Sequence, residues 1–417
     1  MEKLSIILIL AAIHTQSLHS LLKIDLGEIF LILFLLIFLI KLFVYKNETV
    51  VITEIQLVNI ALCFFLLLST INADLYTFIY VLLKSSLFIL ILFFFTNIII
   101  KKNLLGFTLK WFVILTIISS VVAILQEIIY LYNGTLLIGF VKDNLVPFMI
   151  EYTSLGPFLR VPAFFGFYQP FIFYLTTSLL IIFNYIIYKK AISKRAVLSI
   201  LFAFLIIFSA VLLTFSKDAL LAITVGLTLS VFIRWPSKII HFVTSILFIL
   251  LIVTVSGFFH DIIEKLDSYI SFGELSIRIQ LAREGIENIF RHSWIGIGMT
   301  RSGIYTNNAY GWPPHNTFVQ AADELGILGF FAFCSFIGYA FWRALRLNLM
   351  LKEHNESTGM CRGLLIGYIA YVISMQFHPL LENKFLWIWI AFIEGAVLLS
   401  SKGYIHNDND VIELNYT

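Results

Sequence analysis

The sequence predicts an all-α, polytopic membrane bundle of about twelve transmembrane helices, with one large outer loop that carries an amphipathic helix. Three observations predict it. Only 13% of the 417 residues are charged and 60% are hydrophobic, where a soluble domain carries about a quarter charged residues. Apolar runs of about 17–25 residues recur along the whole chain. Basic residues flank every second connection between those runs.

The runs fall near residues 4–20, 27–45, 55–72, 75–100, 107–131, 168–188, 196–215, 218–234, 239–259, 316–342, 363–378 and 384–401. The first, MEKLSIILILAAI, has the basic start and short apolar core of a signal peptide. A second run follows at once, so it reads as an uncleaved helix, interrupted by His14, Thr15, Gln16 and Ser17. Lys41, Lys46, Lys101, Lys102, Lys189, Lys190, Lys194 and Arg195 lie on one side of a twelve-helix arrangement. Arg234, Lys238, Arg343, Arg346, Lys352 and Arg362 join them, which makes that side cytoplasmic. Both termini then lie inside, in agreement with Lys3 and Lys402.

The chain thus divides into nine helices over 1–259, an outer loop over 260–315, three helices over 316–401 and a polar cytoplasmic tail over 402–417. A second long outer connection runs from Tyr132 to Phe167. Within the large loop, Leu275, Ile279, Ala282, Ile286 and Ile289 form one narrow stripe at 100° per residue. Such a helix lies on the membrane or on top of the bundle. Arg278 and Arg283 flank the stripe on opposite sides, and Arg291 points away from it.

Several classes are excluded. A net charge of +3 is too small for a nucleic-acid partner. Cys63, Cys334 and Cys361 are far apart and odd in number, with two in apolar runs and Cys361 in a basic loop; they form neither a disulfide framework nor a metal site. The outer acids show no Asp-x-Asp pair suited to Mg²⁺, and no Gly-rich phosphate loop is present, so neither metal nor cofactor is expected. No internal repeat of transporter type appears.

Candidate chemistry collects on the outer side. Arg160, Lys217, Arg278, Arg283, Arg301 and His315 come from separate connections, although the positive-inside bias should deplete basic residues there. That pattern points to an anion. Asp218, Asp261, Glu264, Asp267, Glu274, Glu284 and Glu287 are available to pair with them. A Glu274–Arg278 pair at i,i+4 would be worth only ~0.3–0.5 kcal/mol, and Lys217 could pair with Asp218. In GWPPHNTFVQAADELGILGFF, Pro313 and Pro314 stiffen the approach to His315, and Asn316 or Thr317 can cap the following helix. The positive end of that helix and nearby cations disfavour imidazolium, which leaves a neutral base at the outer face. Glu324 lies within an apolar run, where an ionisable group is costly. It follows His315 by nine residues, roughly the opposite face of a regular helix, so it reads as a structural or supporting residue rather than the base.

RIQLAREGIENIFRHSWIGIG, then PPHN, then ELGILG resembles the O-antigen ligase and polymerase family. Its pattern is an Arg opening a loop helix, a Gly-x-Gly, and His-Asn before a helix with Glu-x-Gly-x-x-Gly. Arg278, Gly296, Gly298, His315, Asn316, Glu324, Gly326 and Gly329 match it position by position. Two positions depart. Ser216-Lys217 stands where the family has Ser-Arg, which keeps the charge but loses the planar fork that grips phosphate bidentately. Ser293 stands where a Pro usually precedes the Gly-x-Gly.

The resemblance implies a metal-independent glycosyltransferase of the bacterial inner membrane with a periplasmic site. It would move an oligosaccharide from undecaprenyl pyrophosphate to a sugar hydroxyl. His315 and Arg278 would be catalytic; Arg278, Lys217 and Arg160 would bind the pyrophosphate; Asn316, Glu324, Gly296 and Gly298 would support them. The partners implied are the lipid-linked donor, the bilayer, a glycan or lipid A–core acceptor and a chain-length regulator. A polymerase is favoured over a ligase, because no basic pocket for a phosphate-rich lipid A core stands out. A lipid-linked oligosaccharide flippase is the rival class, but flippases place ionisable residues near the midplane rather than at the outer rim.

Overall fold

The computed structural model describes residues 2–14, 26–40, 51–71, 73–134, 150–153, 156–165, 168–189, 193–236, 272–302, 312–351 and 356–402. Twelve helices appear among them: α1 (Glu2–His14), α2 (Leu26–Ile40), α3 (Glu54–Leu68), α4 (Leu75–Lys102), α5 (Leu105–Asn133), α6 (Tyr168–Tyr188), α7 (Lys194–Leu213), α8 (Lys217–Arg234), α9 (Phe272–Arg291), α10 (Thr317–Met350), α11 (Glu356–Ser374) and α12 (Phe385–Ser401). A small antiparallel hairpin, β1 (Ile150–Thr153) with β2 (Gly156–Leu159), lies in the connection between α5 and α6.

Five helices are long and apolar enough to cross a membrane: Leu75–Ile100, Leu105–Asn133, Tyr168–Tyr188, Lys194–Leu213 and Thr317–Met350. The chain is therefore a multi-pass, helical membrane protein. Helices stand at eleven of the twelve expected runs. The ninth run, 239–259, and the loop residues 260–271 and 303–311 lie outside the described residues.

Several boundaries move. Helices α10 and α11 are displaced from their runs, because polar flanks continue the helix instead of ending it. Helix α10 runs to Met350, so Arg343 and Arg346 are helical rather than loop residues. Arg343 is buried and binds Glu394 bidentately, Nε–Oε2 at 2.7 Å and Nη2–Oε1 at 2.8 Å. Helix α11 begins at Glu356, which places Cys361 and Arg362 inside it, both buried.

Helix α12 is the axis of the bundle. Its residues are apolar all round, as a fully enclosed helix requires, and nearly every one is buried. Its aromatic side chains order the centre. Trp387 stacks on Phe88 of α4 at 3.6 Å between ring centroids. Phe385 and Trp389 pack with Phe112 of α5, while Tyr174 of α6 and Tyr371 of α11 pack on Phe385. The indole N–H groups find acceptors at Asn59 and the Leu364 carbonyl, at 2.7 and 3.0 Å.

Helix α11 meets α6 through a stripe of glycines. A Cβ added at Gly359 would stand 2.7 Å from the Asn184 carbonyl, and one at Gly363 would stand 2.9 Å from the Ile181 Cα. Small residues spaced four apart let two helices approach closely where lipid supplies no hydrophobic drive between them.

Candidate active site

One end of the bundle gathers the residues of interest. The C-terminal ends of α3, α5, α7 and α11 meet there with the N-terminal ends of α4, α6, α8, α10 and α12. Each N-terminus leaves unpaired backbone N–H groups that a capping side chain must satisfy. Asp74 caps α4 at the Thr77 amide, Ser216 caps α8 at the Ala219 amide, and Asn316 caps α10. Asn316 does this with one oxygen, which accepts from the Phe318 and Val319 amides at 2.9 and 3.1 Å. Its Nδ2 reaches Gln376 Oε1 at 3.2 Å.

His315 sits one residue outside that cap, half-buried. Its Nδ1 is 3.3 Å from the Pro313 carbonyl, and its ring lies 5.7 Å from the Trp312 ring. Because the helix starts at Thr317, His315 and Glu324 are not related by helical periodicity, so the opposite-face argument does not apply.

The helix is also interrupted. At Gly326, φ is 68° and ψ −176°, outside any helical region. In a regular helix the Ile327 amide would donate to the Asp323 carbonyl. Here it donates to the Ser293 carbonyl at 2.8 Å. The Asp323 carbonyl accepts instead from Ile297, and the Glu324 carbonyl from Gly298, both at 3.0 Å. The loop carrying the Gly-x-Gly thus takes over the hydrogen bonds that the break releases, as a membrane-depth interruption demands. The contact is backbone against backbone. A Cβ on Gly296 would lie 2.4 Å from the Glu324 carbonyl, and one on Gly326 would lie 2.5 Å from the Gly296 nitrogen. Both glycines have positive φ, 76° and 68°. Ser293 contributes only its carbonyl to this docking, so its departure from the family's Pro costs the docking nothing.

The acids beside the break are buried. Asp323 Oδ2 accepts from the Ser302 hydroxyl. Glu324 Oε1 accepts from Gln320 Nε2 at 3.3 Å, and its Oε2 has no hydrogen-bond partner among the described residues.

Helix α9 lies against the mouth of α10. Arg278, Leu281, Gly285 and Asn288 recur at three, four and three residues, which is one helical face. Leu281, Gly285 and Asn288 are buried and Arg278 is half-buried. A Cβ on Gly285 would stand 2.7 Å from Pro314 Cγ, next to His315. Arg278 is two turns, about 10 Å, further along that face. The predicted apolar stripe points the other way: Ile279 is 60% and Ile286 46% exposed, and Phe290 beside them 80%. The helix therefore seats on the bundle by Leu281, Gly285 and Asn288 and turns Ile279, Ile286 and Phe290 outward. The Glu274 side chain lies outside the described residues, whereas Arg283 pairs with Glu287 at 3.2 Å on the surface.

The remaining basic residues approach from other elements. Arg160, just after β2, donates to the Tyr168 hydroxyl at 2.9 Å and lies over that ring. Lys217 opens α8 and is exposed. Asp218 does not pair with it: its two oxygens take the Ser216 hydroxyl and His378 Nε2. Arg301 lies near Asp74, whose carboxyl is held below the ordinary carboxylate range by the Thr77 amide and hydroxyl, with a smaller pull from Arg301.

Three non-glycine residues at this end have positive φ: Ala163, Phe215 and Thr300, at 49°, 51° and 70°. They stand beside Arg160, Lys217 and Arg301 respectively. Such conformations cost about 1–3 kcal/mol each and need surrounding contacts to hold them. Ala163 shows how: Gln126 clamps its N–H at 2.9 Å and its carbonyl at 3.1 Å. Sequence reasoning missed this strain, and it missed His378, a single histidine in FHPL whose partner lies 160 residues away.

The fold and site define a multi-pass membrane protein in which an outlying helix and a glycine loop are docked onto an interrupted helix. Residues 202–334 match the family model Wzy_C, described as O-antigen ligase. This is the family that the motifs resemble. The match covers less than half of the chain but takes in Ser216-Lys217, α9, the Gly-x-Gly and His315-Asn316. It supports a membrane enzyme of the O-antigen ligase and polymerase type. Among curated proteins, none gives a significant match.

Proposed function

We propose that this protein is a polymerase of surface polysaccharide. In this reading it transfers a glycan from undecaprenyl pyrophosphate to the hydroxyl of an acceptor sugar at the periplasmic face of the inner membrane, with both termini cytoplasmic. The observation that carries the proposal is the meeting, at one end of the bundle, of an exposed lysine, two arginine-bearing segments and a histidine at a helix mouth.

The chemistry follows from those groups. His315 accepts the proton of the acceptor hydroxyl. The oxygen bonds to the anomeric carbon, and the bond from that carbon to the pyrophosphate oxygen breaks. The leaving undecaprenyl pyrophosphate gains negative charge, and Arg278, Lys217 and Arg160 stabilise it more than they stabilise the bound donor. The donor is already activated, so the scheme calls for no nucleotide and no metal. Among the described residues, no three His, Cys, Asp or Glu side chains gather closely enough to hold a metal ion.

A ligase uses the same steps with lipid A–core as acceptor, and the matching family model carries the description O-antigen ligase. The deletion strain decides. Loss of a polymerase leaves core carrying one repeat unit, a single band above bare core, and that is the expected outcome. Bare core with long glycan stranded on undecaprenyl pyrophosphate would instead assign ligation. Lipid-linked units trapped on the cytoplasmic side, with an unchanged ladder, would assign a flippase and remove His315 from the chemistry.

A further inference from the structure

Asp218 and His378 have no part in the scheme above, yet they form a largely buried polar pair at its edge. Asp218 Oδ2 lies 2.8 Å from His378 Nε2, and Oδ1 accepts from the Ser216 hydroxyl. His378 Nδ1 is sealed from solvent and has no hydrogen-bond partner among the described residues. With one nitrogen engaged and the other enclosed, this imidazole has no route to an acceptor hydroxyl. The pair is built to hold position.

What it holds is specific. Asp218 follows Lys217 in the first turn of α8, and Ser216 caps that turn. His378 closes the turn after α11, and its carbonyl accepts from the Thr317 hydroxyl at 2.6 Å. The Thr317 amide donates to the neighbouring Met375 carbonyl at 2.8 Å. Thr317 is the first residue of α10, two residues beyond His315. An unbroken series of bonds therefore runs from the Lys217 turn through Asp218, His378 and Thr317 to the His315 mouth. Buried ionisable pairs contribute little net stability but can fix one arrangement of two elements.

We propose that the Asp218–His378 pair is a positioning device that registers the Lys217 ammonium against the His315 mouth, so that both face one pyrophosphate group. The inference rests on the pyrophosphate reading of Lys217 given above.

The test is a double-mutant cycle on the full-length protein in lipid nanodiscs. Binding of undecaprenyl pyrophosphate is followed by tryptophan fluorescence, with undecaprenyl phosphate as the reference for tail binding. His378→Leu should weaken pyrophosphate binding by about tenfold or more, as loss of a hydrogen bond to a charged group does. In a Lys217→Ala background the same change should cost no more than about twofold, because the ammonium it positions is gone. His378→Gln, whose amide can still donate to Asp218, should recover most of the loss. If His378→Leu does not yield monodisperse protein, Asp218→Asn carries the cycle. Multiplying effects of the two sites would overturn the positioning role while leaving the pyrophosphate reading intact. Unchanged binding by Lys217→Ala alone would sink the pyrophosphate reading of Lys217, and the inference with it.

Discussion

The two ends of the bundle use the same residue types to opposite purposes. At the end away from His315, three arginines are locked into the protein. Arg343 is clamped by Glu394, Arg362 donates to the Tyr188 hydroxyl and the Leu351 carbonyl, and Arg234 donates to the Ile187 carbonyl. Tyr339 closes onto Glu54 there, and Asn97 ties the start of the α3 segment to α4 through Val51. At the His315 end the helix is broken, three non-glycine residues are strained, Lys217 is exposed, and a buried carboxylate oxygen of Glu324 lacks a hydrogen-bond partner among the described residues. Three arginines are bonded within the protein at one end, and a lysine stands exposed beside a broken helix at the other. A basic residue near a membrane surface is therefore not evidence of function by itself; what it is bonded to decides.

The comparison breaks first at His315. His315→Ala should lower turnover by about 10²–10⁴-fold, with donor binding largely retained. Its thermal unfolding in detergent should move far less than its turnover, since the ring is half-exposed and stands outside the first turn of α10. Wild-type turnover from properly inserted protein would make this end as structural as the other.

Arg343 tests the opposite end. Arg343→Met leaves Glu394 buried and unpaired, which costs about 3–5 kcal/mol. The unfolding temperature should fall clearly, while turnover per folded molecule stays at the parent value. Adding Glu394→Leu should restore most of the stability, because a buried pair and a packed apolar pair differ little. A loss of turnover in the stabilised double variant would show that the far end also takes part in the chemistry.

What the sequence made legible divides along the same line. Long apolar runs located the helices because spanning length is a strict physical requirement. The PPHN run located the mouth of α10 because proline and asparagine have few other uses at that position. Two features were not legible, and for one reason. The face of α9 that docks on the bundle is Leu281, Gly285 and Asn288, and the face of α11 that docks on α6 contains Gly359 and Gly363. Small residues mark close protein contact near lipid, so the apolar stripe of α9 does not by itself identify the face that docks. The break at Gly326 was hidden differently: a glycine inside an apolar run is ordinary, and only the docking of Ser293–Gly298 shows that the helix stops there. The Asp218–His378 pair is a meeting of distant segments and leaves no local pattern.

The smallest expected effect separates Lys217 from Arg278. The resembling family carries arginine where Lys217 stands. Lys217 is the first residue of α8, and its side chain is exposed, so a longer guanidinium has room. Lys217→Arg should therefore keep turnover within a few-fold of the parent, since charge is preserved and the planar fork adds a second donor. The reciprocal change should not be tolerated equally. Arg278 is half-buried on the face of α9 that seats beside Pro314, where a lysine keeps the charge but forfeits bidentate geometry. Arg278→Lys should fall well below Lys217→Arg in kcat/KM for the lipid-linked donor. Equal tolerance at both positions would mean that the pyrophosphate meets a diffuse field of positive charge, and that the fixed geometry of this end matters less than its contrast with the other end suggests.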